Sequence, residues 1–147
     1  MTEKPVLYWD TSAIVSALFK DVHSPAAWNW SRREGLHLLS SLAIAETYAV
    51  INRIDRERAL PEILVKAAIE SFEQGPWHSI NMNPDKNQIT RLSSKWPLRG
   101  ADLWHLAMAC TLRNSLPEIR FLTFDQRLAI AARGEAIHID STNNKSL

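Results

Sequence analysis

The chain predicts a three-layer α/β/α sandwich around a mostly parallel sheet of about five strands. Strand-like and helix-like segments alternate from one end to the other, the pattern of crossover-linked parallel strands. The strand candidates are short apolar runs such as Val6–Leu7–Tyr8–Trp9 and Phe121–Leu122–Thr123–Phe124. Both runs end in an aspartate that opens a helix, Asp10 and Asp125.

Taking the elements in order, Val6–Trp9 is a strand, and apolar Ala13, Ile14, Ala17 and Leu18 give helical spacing over 12–20. Ser24 before Pro25 reads as an N-cap with proline at the first helical position; that helix runs to about Arg33, and Gly35 closes it. Leu36 to Leu39 is a short strand. Ser40 and Ser41 can cap a long helix from Leu42 to about Arg58. Pro61 opens a helix stopped by Gly75–Pro76, and Trp77 to Ile80 is a strand. Asp85 starts a helix to about Trp96, and Gly100–Ala101–Asp102 starts an apolar helix to about Asn114. Ile119 to Phe124 is a buried strand, Asp125 to Arg133 a helix stopped by Gly134, and Ala136 to Ile139 a last strand. Residues 141–147 are polar and read as a frayed tail.

The 147 residues suit one domain, 1–147, with a core that needs no staples. The formal charge of +1 neither demands nor excludes a polyanionic partner. The single cysteine, Cys110, lies in an apolar helical run and reads as a small buried hydrophobe. The first residues lack signal-peptide architecture, and no apolar run approaches the ~20 residues of a membrane span. The expectation is a soluble, cytoplasmic protein.

Four acids carry the functional argument. Asp10 and Asp125 end strands, Asp102 starts a helix, and Glu46 lies about a turn into the helix after the second strand. Each alone has a structural account: a helix cap or first-turn acid for the aspartates, and an ion pair with Arg53 for Glu46. In a parallel sheet all four arrive at one edge, where such folds place their ligands. At ~5 Å and an effective dielectric near 20, each like-charge pair costs roughly 3 kcal/mol. A divalent cation would remove that repulsion. An all-oxygen set selects hard Mg²⁺ or Mn²⁺, and no cysteine or histidine set has zinc-ligand spacing. Carboxylate-held metal suits phosphate-ester hydrolysis. A dehalogenase-like phosphatase would need an acid two residues after Asp10, where Ser12 stands. A receiver domain would need an aspartate ending a middle strand, and neither Leu36–Leu39 nor Trp77–Ile80 supplies one.

These motifs together resemble the PIN domain: Asp10–Thr11–Ser12 after a strand, Glu46, Gly100–Ala101–Asp102 leading Leu106 and Ala107–Met108–Ala109, and Leu122–Thr123–Phe124–Asp125. They are most similar to the VapC-type toxins. The resemblance implies an Mg²⁺- or Mn²⁺-dependent endoribonuclease with Asp10, Glu46, Asp102 and Asp125 as its acidic quartet and metal ligands. It implies that Ser12 and Thr123 orient carboxylates, and it implies RNA as substrate, a homodimer and a small antitoxin as partner. RNA-processing or DNA-cleaving PIN nucleases and a non-catalytic binding module are the alternatives. Trp104–His105 is bulkier than the family pattern suggests. His105, one turn from Asp102, is a candidate substrate contact or acid, beside Arg53, Arg99 and Arg113 as candidate phosphate contacts. The six tryptophans can be a stacking platform, or core.

Overall fold

The structure is a computed structural model and describes residues 4–139. The expected tail, 141–147, lies outside these. The elements are β1 (Val6–Trp9), α1 (Thr11–Leu18), α2 (Ser24–Ser31), β2 (Leu36–Ser40), α3 (Ser41–Arg56) and α4 (Glu62–Gln74). They continue with β3 (Trp77–Ile80), α5 (Lys86–Lys95), α6 (Gly100–Ser115), β4 (Arg120–Leu122), α7 (Gln126–Gly134) and β5 (His138–Ile139). The sheet order is β3-β2-β1-β4-β5, and every pairing is parallel. The parallel assumption on which the convergence of the acids depends therefore holds.

β1 is the middle strand, and its alternation divides the core. Tyr8 packs on one face with Leu38, Phe121, Leu92, Leu106 and Met108, under α5, α6 and α7. Leu7 and Trp9 pack on the other with Leu39, Leu122, Ile14 and Phe72, under α1 to α4. Successive side chains of a strand point to opposite faces, so a strand buried on both sides reads as continuously apolar. That gives the three layers.

Several boundaries differ from the sequence expectation. β4 and β5 are shorter than Ile119–Phe124 and Ala136–Ile139, because the parallel ladder to β1 spans only Arg120 to Leu122 and that to β5 only two residues. Ser24 is inside α2 rather than capping it. The cap position is His23, without a side-chain cap bond, and the Ser24 hydroxyl instead donates to the carbonyls of Ser16 and Phe19. α3 is amphipathic: Ala43, Thr47 and Ile51 are buried, while Ala45, Ala49 and Arg53 face solvent. Gly134 is the last residue of α7, and close approach requires it. A Cβ there would lie 2.2 Å from the Trp96 ring. The left-handed residue at this helix end is Ala136, with φ 60°.

Trp9, Trp28 and Trp96 serve the fold. Trp9 is fully buried and its Nε1 donates to His37 Nδ1 at 3.0 Å. Trp28 donates to the Ala17 carbonyl and Trp96 to Glu135. Cys110 is buried and free, as its context predicts. Among the described residues no helix is long and apolar enough to cross a membrane.

Candidate active site

Asp10 follows the last residue of β1, so the strand delivers it to the carboxyl edge of the sheet. It also caps α1, with Oδ1 accepting from the Ala13 amide at 2.9 Å. Ser12 donates to the same oxygen at 2.7 Å, and Thr123 donates to Oδ2. Both hydroxyls also accept: Ser12 Oγ from the Phe124 amide at 3.0 Å and Thr123 Oγ1 from the Asp125 amide at 3.1 Å. A hydroxyl can donate and accept at once, and here that property ties the start of α1 to the loop between β4 and α7. Asp10 is 3% exposed, and burial pushes its carboxyl up despite these donors.

Glu46 reaches the same edge from α3. Its Oε1 accepts from Thr11 Oγ1 at 2.7 Å and lies 2.8 Å from His105 Nε2. The His105 bond, then the Thr11 bond, hold the Glu46 carboxyl below its ordinary range against the opposing effect of burial. Because a carboxylate accepts, Nε2 carries the proton, leaving Nδ1 to face the Tyr8 hydroxyl at 3.5 Å. His105 is 3% exposed, so this histidine lies beneath the site and positions Glu46 rather than meeting solvent.

Asp102 lies in the first turn of α6. Partial burial pushes its carboxyl up, and the charges of Asp125 and Glu46 push it further, while His105 and Arg99 oppose them. Asp125 caps α7, with Oδ1 accepting from the Leu128 amide at 3.1 Å. The structural account and the functional one are thus compatible: Asp10 and Asp125 cap helices and stand at the edge together. Asp102, Asp125 and Arg99 line one cavity of about 500 Å³ with Arg127.

Not every expected residue arrives. Arg53 is exposed on α3, two turns beyond Glu46 and so about 10 Å further along the helix. The Glu46 partners are Thr11 and His105 instead of Arg53. Arg113 donates to the Glu135 carbonyl at the other end of α6, far from Asp102 along the helix. Thr11 and Arg127 belong with the site and were not singled out by sequence. Thr11 lies inside the Asp10–Thr11–Ser12 motif, but its link to Glu46 spans 35 positions and is a product of packing.

The donor chemistry at this edge fits a hard divalent cation: four carboxylates, no sulfur, and mutual repulsion felt at Asp102. Among the described residues, no three His, Cys, Asp or Glu side chains are close enough to enclose an ion as they stand. The acids form an open edge.

The comparisons agree with this architecture. Comparison with curated proteins gives no match. The fold is similar to VapBC2 of Rickettsia felis bound to a DNA fragment from its promoter, at TM-score 0.66 and 14% identity, covering 92% of this chain and 98% of that one. It is similar to FitAcB of Neisseria gonorrhoeae, at TM-score 0.62 and 16% identity, covering 90% and 95%. It is also similar to VapC20 of Mycobacterium tuberculosis, described as a sarcin-ricin loop cleaving toxin, at TM-score 0.57 and 14% identity, covering 85% and 94%. The model of the PIN domain matches residues 7–134, nearly the whole described chain, and on that match the chain belongs to the PIN-domain family.

Proposed function

We propose that this protein is a divalent-metal-dependent endoribonuclease, and the toxin of a VapBC-type pair. The observation that carries the reading is the edge itself: Asp10, Glu46, Asp102 and Asp125 at the carboxyl ends of an all-parallel sheet, with Asp10 fixed by two hydroxyls. Asp10 and Asp102 would hold Mg²⁺ or Mn²⁺, with Glu46 and Asp125 ligating directly or through water. When bound, such an ion would supply Lewis-acid activation of water and offset developing negative charge.

The chain's own residues do the rest. Ser12 and Thr123 hold the Asp10 carboxylate in one orientation. Glu46, kept ionised by His105 and Thr11, is placed to take a proton from the attacking water. The water oxygen bonds to phosphorus in line as its proton passes to Glu46, the ester P–O bond breaks, and the leaving oxygen takes up a proton from solvent, with no covalent enzyme intermediate. Arg99 and Arg127, on the cavity that Asp102 lines, meet the phosphate backbone. The toxin reading rests on similarity to toxin–antitoxin complexes, and it brings with it a small antitoxin and a homodimer as partners.

The test is cleavage of end-labelled RNA by purified protein in Mg²⁺, Mn²⁺ or EDTA. Cleavage in either metal and none in EDTA supports the reading. No cleavage of any RNA in either metal points to the non-catalytic module.

A further inference from the structure

Asp125 and Gln126 form a wall shared by two cavities. One is the 500 Å³ cavity of Asp102, Arg99 and Arg127. The other, about 410 Å³, is lined by His23, Phe124, Ile130 and Arg133 as well. Its chemistry is different. The His23 and Phe124 rings are parallel within 5° and 4.5 Å apart, and Ile130 is 59% exposed. Gln126 adds an amide that both donates and accepts, and Arg133 adds a cation. A volume of this size falls in the range of about 300–1,000 Å³ that small-ligand pockets occupy.

We propose that this second cavity is a base-binding subsite, taking one unpaired RNA base while the adjoining backbone crosses the acidic edge. The inference rests on the nuclease reading for the identity of that edge. A charged cavity with two arginines suits phosphate. A wall of stacked rings and an apolar side chain, with the Gln126 amide and the Arg133 cation beside it, suits a base, because every base has a face that can stack. The wall is also preorganised. The His23 amide donates to Asp21 Oδ1 at 2.8 Å, and Asp21 Oδ2 accepts from Ser16 at 2.8 Å. The Phe124 amide donates to Ser12 Oγ, the hydroxyl that holds Asp10. A base held at Phe124 is thereby kept in register with the scissile phosphate at Asp10, which makes His23 and Phe124 determinants of cleavage position.

The experiment uses the full chain and a single-stranded 12-nucleotide RNA carrying 2-aminopurine at successive positions, in Ca²⁺, with intact RNA confirmed on a gel. Affinity is read by anisotropy and stacking by 2-aminopurine quenching. The wild type quenches at one position. His23→Ala and Phe124→Leu each weaken binding about tenfold and remove that quenching, a loss in the range of one stacked base. Ile63→Ser, an exposed apolar residue outside both cavities, changes neither. The proposal is overturned if the wild type does not bind or quench, if both ring variants match it, or if Ile63→Ser loses as much. It is also overturned if ring-dependent binding occurs with DNA of the same sequence and not with RNA. Binding and cleavage are read separately. Ring-dependent binding without cleavage in Mg²⁺ or Mn²⁺ would remove the nuclease reading alone, and cleavage with ring-independent binding would remove the subsite alone.

Discussion

His105 Nε2 lies 2.8 Å from Glu46 Oε1, and this contact joins the two helical layers above the strand ends. Glu46 comes from α3 on one face of the sheet and His105 from α6 on the other. The contact orients an acid at the edge from beneath it. Replacing His105 with alanine leaves Glu46 held by Thr11 alone and the Tyr8 hydroxyl facing a void. Loss of a group that orients a metal-site carboxylate costs about 10–100-fold in activity or metal affinity. RNA cleavage by His105→Ala is expected to fall in that range while RNA affinity in Ca²⁺ stays near wild type. Equal loss of affinity would show that His105 serves the RNA surface instead.

The Thr123 hydroxyl donates to Asp10 and accepts from the Asp125 amide. Thr123→Val keeps the volume and removes both bonds, leaving a buried carboxylate short of a donor. That omission costs about 1–3 kcal/mol. Chemical denaturation should register the loss in Thr123→Val, and Thr123→Ser should recover most of both stability and cleavage. A valine variant as stable and active as wild type would remove Thr123 from the site.

Asp10 is buried, and its carboxyl is pushed up from the ordinary 3.8. An acid whose folded pKa is raised favours the folded state fully below the unfolded value, and that contribution is lost as pH rises through the folded pKa. At neutral pH the ionised group therefore opposes folding. Asp10→Asn is expected to raise Tm by a few degrees at pH 7, on the order of 1 kcal/mol. The advantage shrinks as pH falls toward 4. Mg²⁺ should raise the Tm of the wild type and do little for the variant. Thermal scans across pH with and without Mg²⁺ read both effects.

Glu135 tests the fold apart from the site. Its side chain is 5% exposed and accepts from Trp96 Nε1, Lys95 and Arg91. Burial pushes its carboxyl up, but the Trp96, Lys95 and Arg91 donors outweigh this and bring it down to about 2. A depressed acid contributes stability that is present above its unfolded value, here 4.5, and is lost as pH falls through about 2. Because Arg91 and Lys95 are half exposed, solvent screening limits the effect. Glu135→Gln is expected to lose about 1–3 kcal/mol at pH 7. The gap to wild type closes between pH 4.5 and about 2, and cleavage is unchanged. A gap that persists at pH 2 would show that packing, not charge, holds this corner.

The architecture was legible because its signals are local. Alternating apolar strands and amphipathic helices declare themselves in short windows, and an aspartate after an apolar run marks a strand end whatever the tertiary context. Asp10 needs nothing more, whereas Asp125 stands three residues past the end of β4, as the cap of α7. Glu46 and His105 show where that legibility stops. Each is a candidate from its own helix, but their positions are 59 apart, and nothing local says that the two helices meet over the sheet. Local pattern therefore points Glu46 to Arg53, the cation within reach of its own helix face, and His105 to substrate, whereas in the fold the two meet each other. Gly134 ends α7 as the sequence predicts, and the Trp96 ring, from another helix boundary, is what excludes a side chain there. Ser24 departs from the capping expectation for the same reason: its hydroxyl serves α1 across a loop, a destination no capping rule contains.

The central claim is that the acidic edge built on Asp10 hydrolyses RNA, and sequencing of RNA ends tests it most directly. Wild type and Asp10→Asn are expressed separately, and new cleaved ends are mapped across the transcripts. Discrete new ends with the wild type, absent with a folded Asp10→Asn variant, are the predicted result. The same ends from both proteins, or none from either, would contradict it.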